Sequence, residues 1–545
     1  MNSSTLAAAS DVAVAAKAHA GGRPRFDQKP SWATIGLFLA LLVGGIAFTV
    51  ISLRSDVSET AAKATSYSSF LLLGLALLIA LGFEFVNGFH DTANAVATVI
   101  YTHSLPPNVA VVWSGVFNFI GVLVSSGTVA FGIISLLPVE LILQVGSGAG
   151  FAMVFALLIA AIIWNLGTWY LGLPASSSHT MVGSILGVGV ANALMHGRDG
   201  TSGVDWAQAT KIGYTLLLSP LFGFVLAAVL LLVLKVVVKD KRLYDAPKTD
   251  APPPGWIRGL LILTCTGVSY FHGSNDGQKG MGLIMLILVG TVPISYALNN
   301  SMPENQVVQF QALAAVTQQS LQSAAPGTAT PADSRQVLSD FLRTKAFNDQ
   351  VVPALAAVTG DIGAQIKQRV SFKQLPSTTV ANVRNDMYLT SEAIRLTQKS
   401  GKVQFSDDAS KNLDAFRKEI DKATKFIPLW VKVAVAIALG LGTMVGWKRI
   451  VMTVGEKIGK THLTYAQGAS AEIIAMATIG AADGLGLPVS TTHVLSSGIA
   501  GTMAANRSGL QWGTLRNLAL AWVLTLPVAI LLSGSLYWLL RQLFG

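Results

Sequence analysis

The sequence predicts an all-α polytopic membrane protein, built as an inverted repeat with two re-entrant hairpins and a soluble helical insert. Three observations carry this. The 545 residues are 52% hydrophobic and only 12% charged, with a mean hydropathy of +0.55, whereas soluble domains carry about 25% charged residues. The stretch Gly172-Leu173-Pro174-Ala175-Ser176-Ser177-Ser178-His179 recurs as Gly486-Leu487-Pro488-Val489-Ser490-Thr491-Thr492-His493, each copy between long apolar segments. Basic residues gather in a few segments between those spans, where they report orientation.

The first element is a polar, Ala-rich tail, residues 1–31, with Arg23, Arg25 and Lys29 just before an apolar run. That run, 32–53, is long enough to cross a bilayer. It is too long for a signal-peptide core and is followed by no clear small-residue cleavage site, so it reads as a retained helix with a cytoplasmic N-terminus. Residues 70–238 form the first repeat. An apolar segment from Phe70 runs into Gly82-Phe83-Glu84-Phe85-Val86-Asn87-Gly88-Phe89-His90-Asp91-Thr92-Ala93-Asn94. Ionisable groups there are costly, about 2.5–3.5 kcal/mol for one central charge on insertion scales. Val109–Leu137 contains Asn118, Phe151–Met195 forms two apolar arms around the first tip, and Ile212–Val238 closes the half.

Residues 239–256 are a basic, Pro-rich linker. The second repeat takes 257–299 and 428–545. Its opening segment reads as interrupted at Gly273-Ser274-Asn275-Asp276-Gly277-Gln278-Lys279-Gly280, and its hairpin lies near 486–494. Residues 300–427 differ in kind, being polar with amphipathic stretches such as Asp408–Lys425. They read as a soluble helical insert. Cys265 lies in an apolar run and supports neither a disulfide nor a thiolate metal site. The net charge of +10 follows from residues flanking apolar segments and implies no nucleic-acid partner.

Counting passes orients the chain. With residues 1–31 inside, 60–66 fall outside and His103 inside, and the next span exits at Leu137. If the first hairpin enters and leaves by one face, the following span ends inside at the basic linker. One crossing then puts 300–427 outside, and the next brings the basic loop Lys448–Lys460 inside. The two hairpins therefore enter from opposite faces.

Paired polar interruptions at corresponding places in two halves mark the binding site of a transporter. A tip of Pro-x-Ser/Thr residues opening a helix presents free backbone N–H groups and hydroxyls, and the helix dipole favours an anion there. Ser176, Ser177, Ser178, Ser490, Thr491 and Thr492, with Asn94 and Asn275, are thus the candidate anion ligands. Asp91 and Asp276 suit a cation or a proton, so the pattern points to an anion moving together with cations. His179 and His493 are supporting residues at the tips.

At these motifs the chain resembles the inorganic phosphate transporter family, and especially its bacterial low-affinity permeases. The resemblance runs from about residue 70 to 540 and rests on Gly88–Tyr101, Trp164–Tyr170 with its hairpin, Phe271–Gly280 and Pro488–Ser497. It implies uptake of inorganic phosphate by alternating access around a midplane site, as a neutral complex with a divalent metal such as Mg, Ca or Zn. The family pattern Gly-x-Asn-Asp-x-x-Asn is altered: His90 stands where an Asn is usual, and Lys279 where the second copy has its later Asn. A titratable ring and a fixed cation disfavour sodium and accord with proton coupling, to which Asp91, Asp276, His90, Lys279 and Glu472 are assigned. Asp91 and Asp276 are also the candidate metal ligands. Glu472 matches a glutamate needed by sodium-coupled relatives, Asn118 takes the place of another, and Asn165 matches a polar position beside the hairpin. No resident cofactor is expected. The expected partners are phosphate and membrane lipid, with a homodimer allowed, in a bacterial inner membrane. Sodium coupling, another tetrahedral oxyanion such as arsenate or sulfate, and an intramembrane aspartyl protease are the competing readings.

Overall fold

The computed structural model describes residues 24, 26, 31–59, 67–137, 141, 147–247 and 249–544. Most of the expected tail 1–31, the loop 60–66 and most of the loop 139–148 lie outside them. Among the described residues no β-strand occurs and seven helices are long and apolar enough to cross a membrane. Leucines and valines on the outer helices stay exposed, Leu217 at 70% and Val523 at 71% for instance. Polar residues such as Asp91, Asn94, Asp276 and Lys279 are buried to 2% exposure or less. Apolar outside and polar inside is the distribution a bilayer selects, and the protein is a membrane protein.

Helix α1 (Trp32–Glu59) runs past the expected end at residue 53. Its extension is held by Asp56, whose carboxylate accepts from Tyr296 Oη at 2.8 Å and Trp430 Nε1 at 2.9 Å. Helix α2 (Tyr67–Asp91) and α3 (Ala93–Tyr101) are separated only at Thr92, so the interruption expected there is slight. Next come α4 (Pro107–Val124), α5 (Thr128–Ile134), the hairpin pair α6 (Gly148–Tyr170) and α7 (Ser177–Met195), and α8 (Trp206–Val237).

Helix α9 (Gly255–Thr291) corrects the sequence reading. The expected break at 273–280 does not occur. The polar, Gly-rich stretch stays helical because its glycines serve close packing: a Cβ on Gly273 would collide with the Asn118 carbonyl oxygen of α4. Every residue from His272 to Leu288 is buried, so a neighbouring helix does the shielding that a break would otherwise need.

After the single turn Pro293–Tyr296, five longer helices follow: α10 (Glu304–Ala324), α11 (Ser334–Thr344), α12 (Val351–Ile366), α13 (Ser377–Ser400) and α14 (Asp407–Thr424). They enclose their own core, with Phe310 against Phe416 at 5.3 Å and Phe372 at 6.1 Å. In α14 the buried Leu413, Phe416, Ile420 and Ala423 recur at helical spacing, and Ser406 caps its start. Helix α15 (Leu429–Gly442) then crosses α2 at two glycines, Gly88 and Gly442, each against backbone of the other helix. The basic loop Lys448–Lys460 is largely helical, as α16 (Lys448–Glu456). The second hairpin pairs α17 (Tyr465–Gly484) with α18 (Thr491–Ala505), and α19 (Trp512–Phe544) ends the chain.

Candidate phosphate site between the hairpin tips

Each hairpin turns the same way, and the sequence explains how. Gly172 and Gly486 take left-handed φ values of +67° and +65°, a conformation that glycine adopts without strain. Leu173 N then bonds Thr168 O, and Leu487 N bonds Ala482 O, both at 2.9 Å. After the proline, Ser176 and Ser490 accept from the backbone N–H of His179 and His493, both at 3.2 Å. These two hydroxyls are therefore helix N-caps. They hold the tips in shape, and each keeps its own O–H to donate.

The other tip hydroxyls converge on the two aspartates. Ser177 Oγ donates towards Asp91 Oδ2 at 3.0 Å and Asp276 Oδ2 at 3.3 Å. Thr492 Oγ1 donates to Asp91 Oδ1 at 2.7 Å. Ser178 Oγ reaches across to the Val489 carbonyl at 2.7 Å, tying one tip to the other. Asn94 Nδ2 donates to Thr492 at 2.9 Å and lies 3.4 Å from Thr491, while its Oδ1 is buried without a partner. Asn275 grips the extended backbone of the second tip, donating to Leu487 O at 3.0 Å and accepting from Val489 N at 3.4 Å.

The aspartates have different cationic neighbours. Lys279 Nζ lies 2.7 Å from Asp276 Oδ1 and donates to Ser178 at 2.6 Å. His90 Nδ1 is 2.9 Å from Asp91 Oδ1, with its Nε2 3.2 Å from Thr168 Oγ1. His272 lies between the two acids, its Nε2 3.4 Å from Asp276 and 3.8 Å from Asp91, and its Nδ1 2.7 Å from Asn118 Oδ1. One ligand atom from each of Asp91, His272 and Asp276 can be chosen so that all lie within 4.8 Å of one another, a group able to receive a metal ion. All of these side chains are buried, so every polar contact acts without competition from water.

Sequence reasoning missed His272. The signal was present, since it stands four residues before Asp276 and so shares its helical face. Asn118 acts one step back, by orienting that ring. The remaining expected residues make no described hydrogen bond to the aspartates. Glu472 accepts from Thr264 and has a second, unpartnered oxygen, but no described bond links it to the aspartates. Asn165 accepts from Thr180 Oγ1 at 3.1 Å, bracing the first hairpin. His179 and His493 meet in a tilted contact with centroids 4.7 Å apart, and His493 stacks on Trp522 at 4.2 Å.

The motif residues that build this junction fall within residues 87–533, which match the profile of the phosphate transporter family. The chain belongs to that family. Within the phosphate transporter family it is 40% identical to the low-affinity inorganic phosphate transporter PitB of Escherichia coli (strain K12), over 88% of this chain and 98% of that one. It is 42% identical to PitA of the same strain, over 87% and 97%. A low-affinity inorganic phosphate transporter of Buchnera aphidicola subsp. Acyrthosiphon pisum (strain APS) is 40% identical over 87% and 98%. A solved structure titled the sodium-dependent phosphate transporter is similar at 20% identity and a TM-score of 0.47, covering 87% of this chain and 99% of that one. A member of this family is a transporter and not an enzyme, which removes the aspartyl protease reading.

Proposed function

We propose that this protein is a proton-coupled symporter for inorganic phosphate, carrying phosphate together with a divalent metal across a bacterial inner membrane. The observation that carries the reading is the meeting of donor-rich hairpin tips with two buried aspartates. Hydroxyls of Ser177, Ser178, Thr491 and Thr492 supply donors for an oxyanion, and tip N–H groups add the pull of two helix N-termini. Asp91, His272 and Asp276 can receive the metal that accompanies the anion. The ion pair of Lys279 with Asp276 argues against sodium there, because a fixed ammonium occupies the carboxylate that a sodium ion would need.

Alternating access in an inverted repeat is part of the same reading. Its support is the duplicated local geometry: two hairpins with matching turns and caps, each followed by a long helix with an internal proline, Pro220 in α8 and Pro527 in α19. These helices exchange partners, α19 packing on α7 and α8 on α18. Hairpins entering from opposite faces, with the N-terminus cytoplasmic, fit this exchange and the charge pattern. Labelled phosphate uptake in vesicles, with pH, sodium and magnesium varied independently, is the test. Uptake should follow the proton gradient and require the metal; dependence on sodium without any effect of pH would sink the coupling assignment.

A further inference from the structure

Glu84 takes no part in the site described above, although it lies deep among the membrane helices. It stands on α2 seven residues before Asp91, with Asn87 between them, so the three share one face of the helix. Glu84 and Asn87 are completely buried, both at 0% exposure. Neither oxygen of the Glu84 carboxyl has a hydrogen-bond partner, and neither polar atom of the Asn87 side chain has one.

The fold makes room for this carboxyl. It seats against Gly280 of α9, where a Cβ would collide with it. Gly280 is four residues beyond Asp276, so α2 and α9 run antiparallel here. Asp91 and Asp276, bridged by Ser177, form one level of this pair of helices, and Glu84 beside Gly280 forms another. The two levels are about 10 Å apart along α2, from the rise per helical residue.

No counter-charge reaches Glu84 among the described residues. The charged groups that face it are Lys279 and Asp276, both from α9. The ammonium is engaged with Asp276 at 2.7 Å and Ser178 at 2.6 Å. On α2 itself, His90 is engaged with Asp91. The other helices packed on α2 are α3, α6 and α15. Helices α3 and α6 carry no charged residue and no histidine. Lys432 of α15 gives its ammonium to the Ser125 carbonyl oxygen at 2.6 Å.

An ionised carboxylate at bilayer depth with neither counter-charge nor hydrogen bond is costly. Glu84 therefore needs a neutralising cation of its own while the site is closed. A divalent metal fits poorly, because one carboxyl and one amide fall short of the roughly six oxygens that magnesium or calcium takes. A proton needs only one oxygen. We propose that Glu84 is the proton-carrying group of this transporter, separate from the residues that hold the metal and the anion.

The inference rests on the proton-coupled reading above. A neutral metal-phosphate complex moves no charge, so the driving proton has to enter on another group. In the orientation proposed above, Glu84 lies on the extracytoplasmic side of the aspartates. One of its oxygens takes a proton from water when the site opens outward and keeps that O–H bond while the site is closed. The bond breaks when the site opens inward, and the proton passes to cytoplasmic water. Each cycle then carries one proton, and Asp91, His272 and Asp276 stay available to the metal.

The test uses full-length protein in proteoliposomes with labelled inorganic phosphate and magnesium. Two activities are measured: accumulation driven by an inward proton gradient, and exchange of internal for external phosphate at equal pH on both sides. Glu84→Gln keeps the shape of the side chain and fixes it neutral. It should lose gradient-driven accumulation but continue to exchange as the pH is raised, where exchange by the unaltered protein slows. Glu84→Asp, which keeps an acid, should retain accumulation with a shifted pH profile. Accumulation by Glu84→Gln, or exchange that slows as in the unaltered protein, would overturn the inference. So would an unshifted profile in Glu84→Asp. Uptake by the unaltered protein that follows sodium and ignores pH would instead overturn the functional reading itself.

Discussion

Asp91 and Asp276 occupy corresponding motifs in the two halves and share Ser177 and His272, but their remaining partners differ in kind. Asp91 is held by His90 and by the Thr492 hydroxyl; Asp276 is held by the ammonium of Lys279. One aspartate meets an imidazole ring and a hydroxyl, and the other meets an ammonium. In the proposed function, this difference in partners divides the coupling role between the two halves.

The largest effect should come from breaking the fixed pair. Asp276→Asn leaves Lys279 buried without its counter-charge, and losing one partner of a buried pair costs about 3–5 kcal/mol. Phosphate uptake in vesicles should fall by at least about 100-fold, and protein that kept full proton-coupled uptake would show that the two aspartates are not divided as described.

Next in size is the removal of both distinguishing residues. His90→Asn with Lys279→Asn should weaken uptake driven by a proton gradient by about tenfold or more, on the charge-assisted bonds lost. It should also introduce stimulation by sodium, because neutral oxygens then face both carboxylates. Uptake in paired pH and sodium gradients reads this, and a double variant with unchanged ion preference would break the comparison.

A smaller change is expected for the shared hydroxyl. Ser177→Ala removes the hydroxyl that reaches both aspartates, and a bond to a charged group contributes about 1.5–3 kcal/mol. The KM for phosphate should rise by roughly tenfold or more, whereas Ser176→Ala should act mainly through helix capping, at about 1 kcal/mol of stability. Equal effects on KM would contradict the separate roles of cap and ligand.

The smallest effect concerns the turns. Gly172→Ala and Gly486→Ala each force a left-handed residue, at about 1–2 kcal/mol. Thermal unfolding in detergent should shift slightly for both. Gly486→Ala should lose more transport, since its Cβ would meet Thr128 at 3.2 Å, while the nearest atom to one on Gly172 is 3.6 Å away.

Much of this was legible in the chain alone, for a local reason. A Gly-Leu-Pro-x-Ser turn fixes its own φ values, cap and helix start within eight residues, so both hairpin tips could be read without a third dimension. Apolar length and basic flanks likewise depend only on neighbours in sequence. The polar stretch at 273–280 misled because its glycines could equally mark a break or a close crossing, and only the arrival of Asn118 from α4 decides between them. The convergence of Ser177, Asp91, His272 and Asp276 on one point, and the pairing of Glu472 with Thr264, were decided by tertiary packing. Each depends on separations set between helices far apart in the chain, which residue spacing along one helix does not encode.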